Sequence, residues 1–345
     1  MMPKLLPASL FAGLLAAGAL LPLNAQELTA LGGGMRTANL KESSYTWQLD
    51  YRHIFHPNFA MSIAYINEGH VVGHHRDGSA MEAWAQLPLA HGHLTLSAGV
   101  GAYYFYDTQG LPNGDSLNEH GSAPIFSVAA TGYLSNRWFY RVLLNRIRPS
   151  HGLTTNTGAI GAGFWFGDER RPMAGHVGTP VAERAYVTEN ELNVFGGQSV
   201  VNTLFSENAL AYSAEYRRGI ARHVDWTLSY VHEGNPEVVR RSGVATQLWA
   251  VNTFKDERFA VGIGLGPYVY IDRKHPDSHR GSTVGTSVGT IKLPDNPAAI
   301  TPLASLTFSV RWSEHWHSRV IWNRITTPYN RDADVFLAGF GYRWK

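Results

Sequence analysis

The sequence predicts an all-β protein: an outer-membrane, transmembrane antiparallel β-barrel of sixteen strands, drawn from two eight-strand repeats. A single sixteen-strand ring is narrowly preferred over two tandem eight-strand barrels. Three observations carry this reading: an export leader with no spanning helix after it, a long internal repeat, and short segments of alternating polarity.

The leader comes first. Lys4 gives a positive start, Leu5 to Leu23 are mostly apolar, and Leu23-Asn24-Ala25 resembles a small-residue cleavage site, so residues 1–25 read as a signal peptide and the mature chain begins at Gln26. Beyond it no run approaches the roughly 18–20 consecutive apolar residues that a spanning helix needs. Any crossing of a membrane falls to strands. A mean hydropathy of −0.18 is too polar for a helical membrane protein but suits a barrel, in which alternate residues face lipid and lumen.

The repeat follows. At a shift of 165 residues, YINEGH from Tyr65 falls on YVHEGN from Tyr230, Trp84 on Trp249, and GVGAYYFYD from Gly99 on GLGPYVYID from Gly264. After an insertion the shift becomes 178, and Arg141, Asn145, Arg146 and Ile147 match Arg319, Asn323, Arg324 and Ile325. Identities in unchanged order point to one assembly present twice. The expected organisation is a first repeat over 26–167, a periplasmic linker over 168–189 and a second repeat over 190–345.

Each repeat divides into eight alternating segments of about 9–13 residues, the length of a tilted spanning strand. They begin near Glu27, Ser44, Asn58, Ala80, His93, Pro124, Trp138 and Thr155, and again near Glu191, Ala209, His223, Gly243, Arg258, Thr301, His315 and Asp334. Connections at His56-Pro57, Ala90 to Gly92 and Ser135 to Arg137 are tight, as periplasmic turns are, whereas Gly69 to Ser79 and Thr108 to Ser122 read as long outer loops. The last strand carries Phe336, Ala338, Phe340, Tyr342 and Trp344 on one face.

Alternation also assigns the faces. Tyr45, Trp47, Leu49 and Tyr51 should face lipid, which turns Thr46, Gln48, Asp50 and Arg52 inward. In the second copy Ser213, Glu215 and Arg217 turn inward, and Glu68, Arg141, Asn145, Glu233, Arg319 and Asn323 complete the expected lining of the lumen or its mouth. Inward charges of both signs can neutralise one another, whereas an unpaired one would be costly. The polar linker and the aromatic strand closing each copy suit two barrels. The many inward Gly, Ala, Ser and Thr would leave a small barrel underpacked, which tips the preference to one ring.

Chemistry is harder to read. Glu68, Asn145 and Arg146, with Glu233, Asn323 and Arg324, lie near outer strand ends and suit either a sugar- or phosphate-binding mouth or a wall network of ion pairs. Arg146 and Arg324, on the lipid-facing parity, are candidates for lipopolysaccharide phosphates, while Tyr103 and Tyr268 are candidates for stacking on sugars. His70, His74, His75 and Asp77 share one loop as weak metal ligands, against the commoner reading of a solvated polar tract. The second copy has Asn235, Val239 and Arg240 at the places of the three histidines. Gly-x-Gly strings lie inside strands without a following helix, so they are not phosphate-binding motifs and no cofactor is implied. There is no cysteine, which excludes disulfides and thiolate metal sites, and a formal charge of +2 gives no field for nucleic acid.

PLAS at Pro302 to Ser305, TPYN at Thr327 to Asn330, the closing aromatic strand and the strand ending AYINEGH resemble the lipid A palmitoyltransferase family of eight-strand outer-membrane enzymes. That resemblance implies a small barrel and acyl transfer by a first-strand His with an Asp-Ser pair. Here Glu68-Gly69 and Glu233-Gly234 stand where the pair would be, and Glu27 to Arg36 contains no His. The weaker resemblance to the lipid A deacylase family implies a His-x-Ser pair, where this chain has Asn145-Arg146-Ile147 and Asn323-Arg324-Ile325. A wall with a polar lining is repeated, without those catalytic residues.

The expectation is therefore a non-enzymatic channel or export pore in a Gram-negative outer membrane, for a hydrophilic solute or a polymer such as an exopolysaccharide. Outer-membrane lipid, lipopolysaccharide and periplasmic export proteins are the partners that go with it. A lipid A-modifying or lipid-binding barrel and a structural scaffold are the alternatives.

Overall fold

The computed structural model describes residues 26–110, 116–134, 137–150, 152–165, 188–203, 206–254, 257–273, 298–327, 329 and 331–345. The leader and residues 168–187 of the linker lie outside them. The first eight strands are β1 (Gln26–Thr37), β2 (Ser43–His56), β3 (Phe59–Val71), β4 (His74–Leu89), β5 (Leu94–Gly110), β6 (Ser116–Tyr133), β7 (Trp138–Ile147) and β8 (Thr155–Trp165). The second eight are β9 (Asn190–Val201), β10 (Asn208–Ala221), β11 (Val224–His232), β12 (Arg241–Phe254), β13 (Phe259–Asp272), β14 (Ala298–Arg311), β15 (Trp316–Ile325) and β16 (Ala333–Trp344).

Sixteen antiparallel strands match the sequence, but the preferred single ring does not. β1 pairs with β8 from Glu27↔Trp165 to Thr37↔Thr155, and β9 pairs with β16, so each set of eight closes on itself. The physical reason lies in the small inward residues, which were expected to leave an eight-strand interior empty. They are seats for large side chains of neighbouring strands. A Cβ built on Gly99 would come within 2.8 Å of the Trp84 ring, and one on Gly264 within 2.5 Å of the Trp249 ring. Both indoles are 1% exposed, and each donates from Nε1 to a hydroxyl opposite, Ser62 or Thr227. Glycine and aromatic together fill space that the glycines alone would leave empty. Gly264→Val should therefore cost about 1–3 kcal/mol, the usual range for overpacking, read as a lower urea midpoint in lipid vesicles. An unchanged midpoint would show that the seat is not needed.

Alternation runs as expected along most strands. In β7 Trp138, Tyr140, Val142, Leu144 and Arg146 are exposed while Phe139, Arg141, Leu143, Asn145 and Ile147 are buried. The outward faces form an apolar belt, with Val142, Leu144, Val320 and Phe336 among its exposed members. Trp and Tyr flank it, Tyr45 and Tyr212 near one end and Trp138, Trp316 and Tyr342 near the other. An apolar band between aromatic girdles matches hydrocarbon between two interfaces.

One sequence expectation needs correction at the end opposite the chain termini, called the loop end below. The stretches Gly69 to Ser79 and Thr108 to Ser122 are largely ladder rather than open loop. β4 pairs with β5 out to His74↔Gln109, and β5 with β6 out to Gly110↔Ser116. The polar segments continue the strands because they satisfy their backbone groups in the ladder rather than in water. The opposite end, with the termini and the tight connections, is called the turn end.

Candidate functional site

Each interior holds two levels of buried charge. The loop-end level begins with a bulge in β3, where the register slips between Asn67 and His70. Gly69 sits there at φ +69°, its N–H donating to Asn67 Oδ1 at 2.9 Å. A Cβ at Gly69 would lie 2.4 Å from the Tyr45 carbonyl oxygen, and one at Gly234 (φ +80°) 2.2 Å from that of Leu210. A side chain therefore has no room at either position.

Glu68, fully buried, accepts from Arg76 Nε at 2.5 Å and Nη2 at 2.9 Å, from Tyr103 Oη at 3.0 Å, and from Thr155 Oγ1. Arg76 spends its remaining reach on the Leu153 carbonyl at 2.5 Å and Thr155 Oγ1 at 2.8 Å. The second barrel repeats the plan. Arg241 forks onto Glu233 at 2.6 and 2.5 Å, and Tyr268 Oη donates to Glu233 at 3.0 Å. Arg241 Nη1 also donates to Tyr329 Oη at 3.0 Å and to the Arg331 carbonyl at 3.1 Å. The Tyr329 hydroxyl donates in turn to Asp272 Oδ2 at 3.0 Å. Burial pushes its phenol well up from the ordinary value, so it stays protonated and able to donate. Bidentate Arg–carboxylate pairs held at both ends make rigid plugs.

The second level lies nearer the turn end. In the first barrel Arg141 bridges Glu27, approaches Asp50 at 3.8 Å and donates to Thr131 Oγ1 at 3.0 Å. Arg52 lies 3.9 Å over the Trp84 ring. Asp50 and Arg52 belong to this same level, Arg52 standing opposite Glu27 in register; both are fully buried and have no hydrogen-bond partner on any carboxylate oxygen or guanidinium nitrogen, with Glu82 close by at 1% exposure. The Asp50 carboxylate is left to the charge of Arg141, and the Arg52 guanidinium to the face of Trp84. In the second barrel Arg319 holds Glu191 at 2.7 Å and Glu215 at 2.8 Å, while Arg217 donates to Asp225 at 2.7 Å and lies over Trp249 at 5.0 Å.

The residues singled out from sequence are thus divided. Asp50, Arg52, Glu68, Arg141, Asn145, Glu215, Arg217, Glu233, Arg319 and Asn323 are all buried inside. They do not form one mouth constellation: Asn145 donates to Gln48 at 3.0 Å, Asn323 accepts from Ser305 at 2.6 Å, and Glu68 and Glu233 are occupied by their arginines. Arg146 is exposed on the outer wall, as its parity requires. Arg324 is corrected as a lipopolysaccharide contact, because it is 6% exposed and its Nη1 donates to Asp334 at 2.5 Å. Tyr103 and Tyr268 are corrected as sugar platforms, since both are fully buried with their hydroxyls on glutamates. Extended pairing also separates the four metal candidates. His74 bonds Asp107 at 2.9 Å, Asp77 accepts from Tyr65 at 2.8 Å, and His70 packs on His75 at 4.0 Å between ring centroids. Among the described residues they do not gather as a ligand set.

Sequence reasoning missed Arg76 and Arg241, the partners that decide what Glu68 and Glu233 do. It also missed Glu27 and Glu191. The signal was present, because Arg76 and Arg241 stand at the same 165-residue shift as the glutamates.

No protein-family model and no curated protein matches the sequence. Among solved structures, the chain is similar to the N-terminal β-barrel domain of OprF from Pseudomonas aeruginosa, at 14% identity and a TM-score of 0.35, over 42% of this chain and all of that one. It is similar to Ail, the attachment invasion locus protein of Yersinia pestis, at 10% identity and a TM-score of 0.34, over 42% of this chain and all of that one. A FadL homologue of Pseudomonas aeruginosa aligns over 96% of this chain and 93% of its own, at 10% identity and a TM-score of 0.26.

Proposed function

We propose that the protein is an integral barrel of a Gram-negative outer membrane and acts as a narrow, ion-pair-gated channel for small hydrophilic solutes. The observation that carries this is the charge buried inside the first barrel: the Arg76–Glu68 pair toward the loop end, and Glu27, Asp50, Arg52 and Arg141 gathered toward the turn end, with no hydrogen-bond partner on the Asp50 carboxylate or the Arg52 guanidinium. A barrel serving only as a wall gains little from buried charge that lacks hydrogen bonds, which costs several kcal/mol unless water reaches it. Water drawn to that charge makes a polar path, closed toward the loop end by the Arg76–Glu68 plug.

The interior also speaks to cargo. An eight-strand ring is filled by its own side chains, so parting one plug admits water, ions or a small solute. A polymer such as an exopolysaccharide needs a wider opening than either ring offers, which places it behind small solutes as a candidate. Acyl transfer on lipid A has no support from the Glu68-Gly69 and Glu233-Gly234 sites, where a Ser side chain does not fit.

Planar-bilayer recording of the purified full chain tests the proposal. The native protein should give brief, small openings. Arg241→Ala removes a plug held by four hydrogen bonds, and should raise open probability at least tenfold, since each 1.4 kcal/mol of lost plug stability is about a factor of ten in population. Silence from both proteins would overturn the channel.

A further inference from the structure

The two barrels differ most at their turn ends. In the first, the last inward residue of β6, the first of β7 and the last of β8 are Tyr133, Phe139 and Trp165, exposed by 5%, 1% and 1%. Tyr133 packs on Phe139 at 5.5 Å and edge-on to Trp165 at 6.5 Å between ring centroids, and its hydroxyl donates to Glu27. Three aromatic side chains thereby form a lid beneath the Glu27–Arg141 pair.

In the second barrel the same three strand positions hold Arg311, His317 and Arg343. The correspondence is fixed by register: Tyr133 stands opposite Phe139 across β6 and β7, and Arg311 opposite His317 across β14 and β15. Those three aromatics are absent, and among the described residues a cavity of about 50 Å³ at the turn end is lined by Arg217, Asp225 and Arg319. Asp225 stands where the first barrel has Ala60, so an acceptor has been added to the floor where the lid is missing.

The floor is built to bind. Arg217 and Asp225 are 2% and 1% exposed, and the 2.7 Å bond between them leaves Arg217 Nη1 and Asp225 Oδ1 without a hydrogen-bond partner. Arg319 Nε is likewise unbonded. Two donors and an acceptor without partners therefore belong to residues that line one cavity. The full lining carries five arginines and four carboxylates, so its field favours neither an anion nor a cation strongly. Hydroxyl groups, each donor and acceptor at once, match such a mixed set. Thr307 and Ser309 add hydroxyls to the wall, and half-exposed Trp316 is part of the lining.

We infer that the turn-side mouth of the second barrel is a binding site for a neutral polyhydroxylated molecule of about one sugar unit. Guanidinium and carboxylate groups side by side take neighbouring hydroxyls, the guanidinium donating to one oxygen and the carboxylate accepting from the next. The site does not depend on conduction, because binding is read without current.

The test uses the purified full chain in detergent, titrated with D-glucose, D-galactose and N-acetyl-D-glucosamine, with sodium phosphate and L-lysine as charged controls. Tryptophan fluorescence and calorimetry give the readout. At least one neutral sugar should saturate in the millimolar range, with neither control binding as tightly. Asp225→Ala, which installs the residue of the first barrel, should weaken it about tenfold, the loss of one hydrogen bond to a charged group. The triple variant Arg311→Tyr/His317→Phe/Arg343→Trp, which rebuilds the lid, should abolish it. Heat-modifiable gel mobility confirms that each variant remains a closed barrel, and if the triple variant does not close, Asp225→Ala decides alone. No saturation by any sugar, tighter binding of phosphate or lysine, or unchanged affinity in Asp225→Ala would overturn the inference.

Discussion

Arg76→Ala should lower the unfolding free energy of the first barrel by about 3–5 kcal/mol, the range for stranding one partner of a buried ion pair. Four hydrogen bonds leave with the guanidinium, two of them to Glu68 and the others to the Leu153 carbonyl and Thr155. Glu68 then keeps only Tyr103 and Thr155 for a carboxylate out of contact with solvent. Arg76→Lys should recover little, because an ammonium cannot reach both carboxylate oxygens and the carbonyl in one plane. Glu68→Gln/Arg76→Met should cost less than Arg76→Ala, since neither variant side chain carries a charge that must be solvated. Urea unfolding in lipid vesicles ranks the three, with hydrogen exchange assigning each transition to its barrel. If the double variant were the least stable, the pair would be contributing attraction rather than avoiding stranded charge. The conductance of Arg241→Ala draws on the same physics in the second barrel, where the broken pair is read as a path instead of a loss of stability.

The strands were legible in the sequence because their signal is local. Period-two alternation in β7, with Trp138, Tyr140, Val142 and Leu144 out and Phe139, Arg141, Leu143 and Asn145 in, is written in ten consecutive residues. Ring closure was not legible in this way. It depends on whether Trp84 fits over Gly99 and Trp249 over Gly264, contacts between strands that no periodicity records. A small residue facing inward reads as missing volume until the large neighbour that occupies it is known. The site was half legible for the same reason: parity turned Glu68, Arg52 and Arg141 inward correctly, but partners come from register. Glu68 keeps the inward parity of Ala64 and Ile66, but its partner Arg76 lies beyond the bulge, where the register slips between Asn67 and His70 and Asn67 and Gly69 are buried as well. Tyr103 was read as a free aromatic because its hydroxyl's partner, Glu68, lies 35 residues away in the chain. The aromatic lid and its absence were visible only when Tyr133, Phe139 and Trp165 met across three strands.

That lid separates two arginines that the sequence makes equivalent. Arg141 and Arg319 occupy the fourth position of β7 and of β15, and each is the central cation between two carboxylates. Arg141 is fully buried behind Tyr133, Phe139 and Trp165, so Arg141→Ala leaves Glu27 and Asp50 facing each other with solvent shut out at the turn end. Its cost should fall in the range of about 3–5 kcal/mol. Arg319 stands on the wall of the open cavity, where water entering from the turn end can solvate Glu191 and Glu215 once the guanidinium is gone. Arg319→Ala should therefore cost closer to the price of its charged hydrogen bonds, about 1.5–3 kcal/mol. Urea unfolding in vesicles, with hydrogen exchange resolving the barrels, measures both. Rebuilding the lid in the second barrel should then raise the cost of Arg319→Ala toward that of Arg141→Ala, because the same two carboxylates would lose their water. Equal costs in the two native backgrounds would mean that the lid does not control solvation, and the open mouth would lose its significance for whatever enters the second barrel.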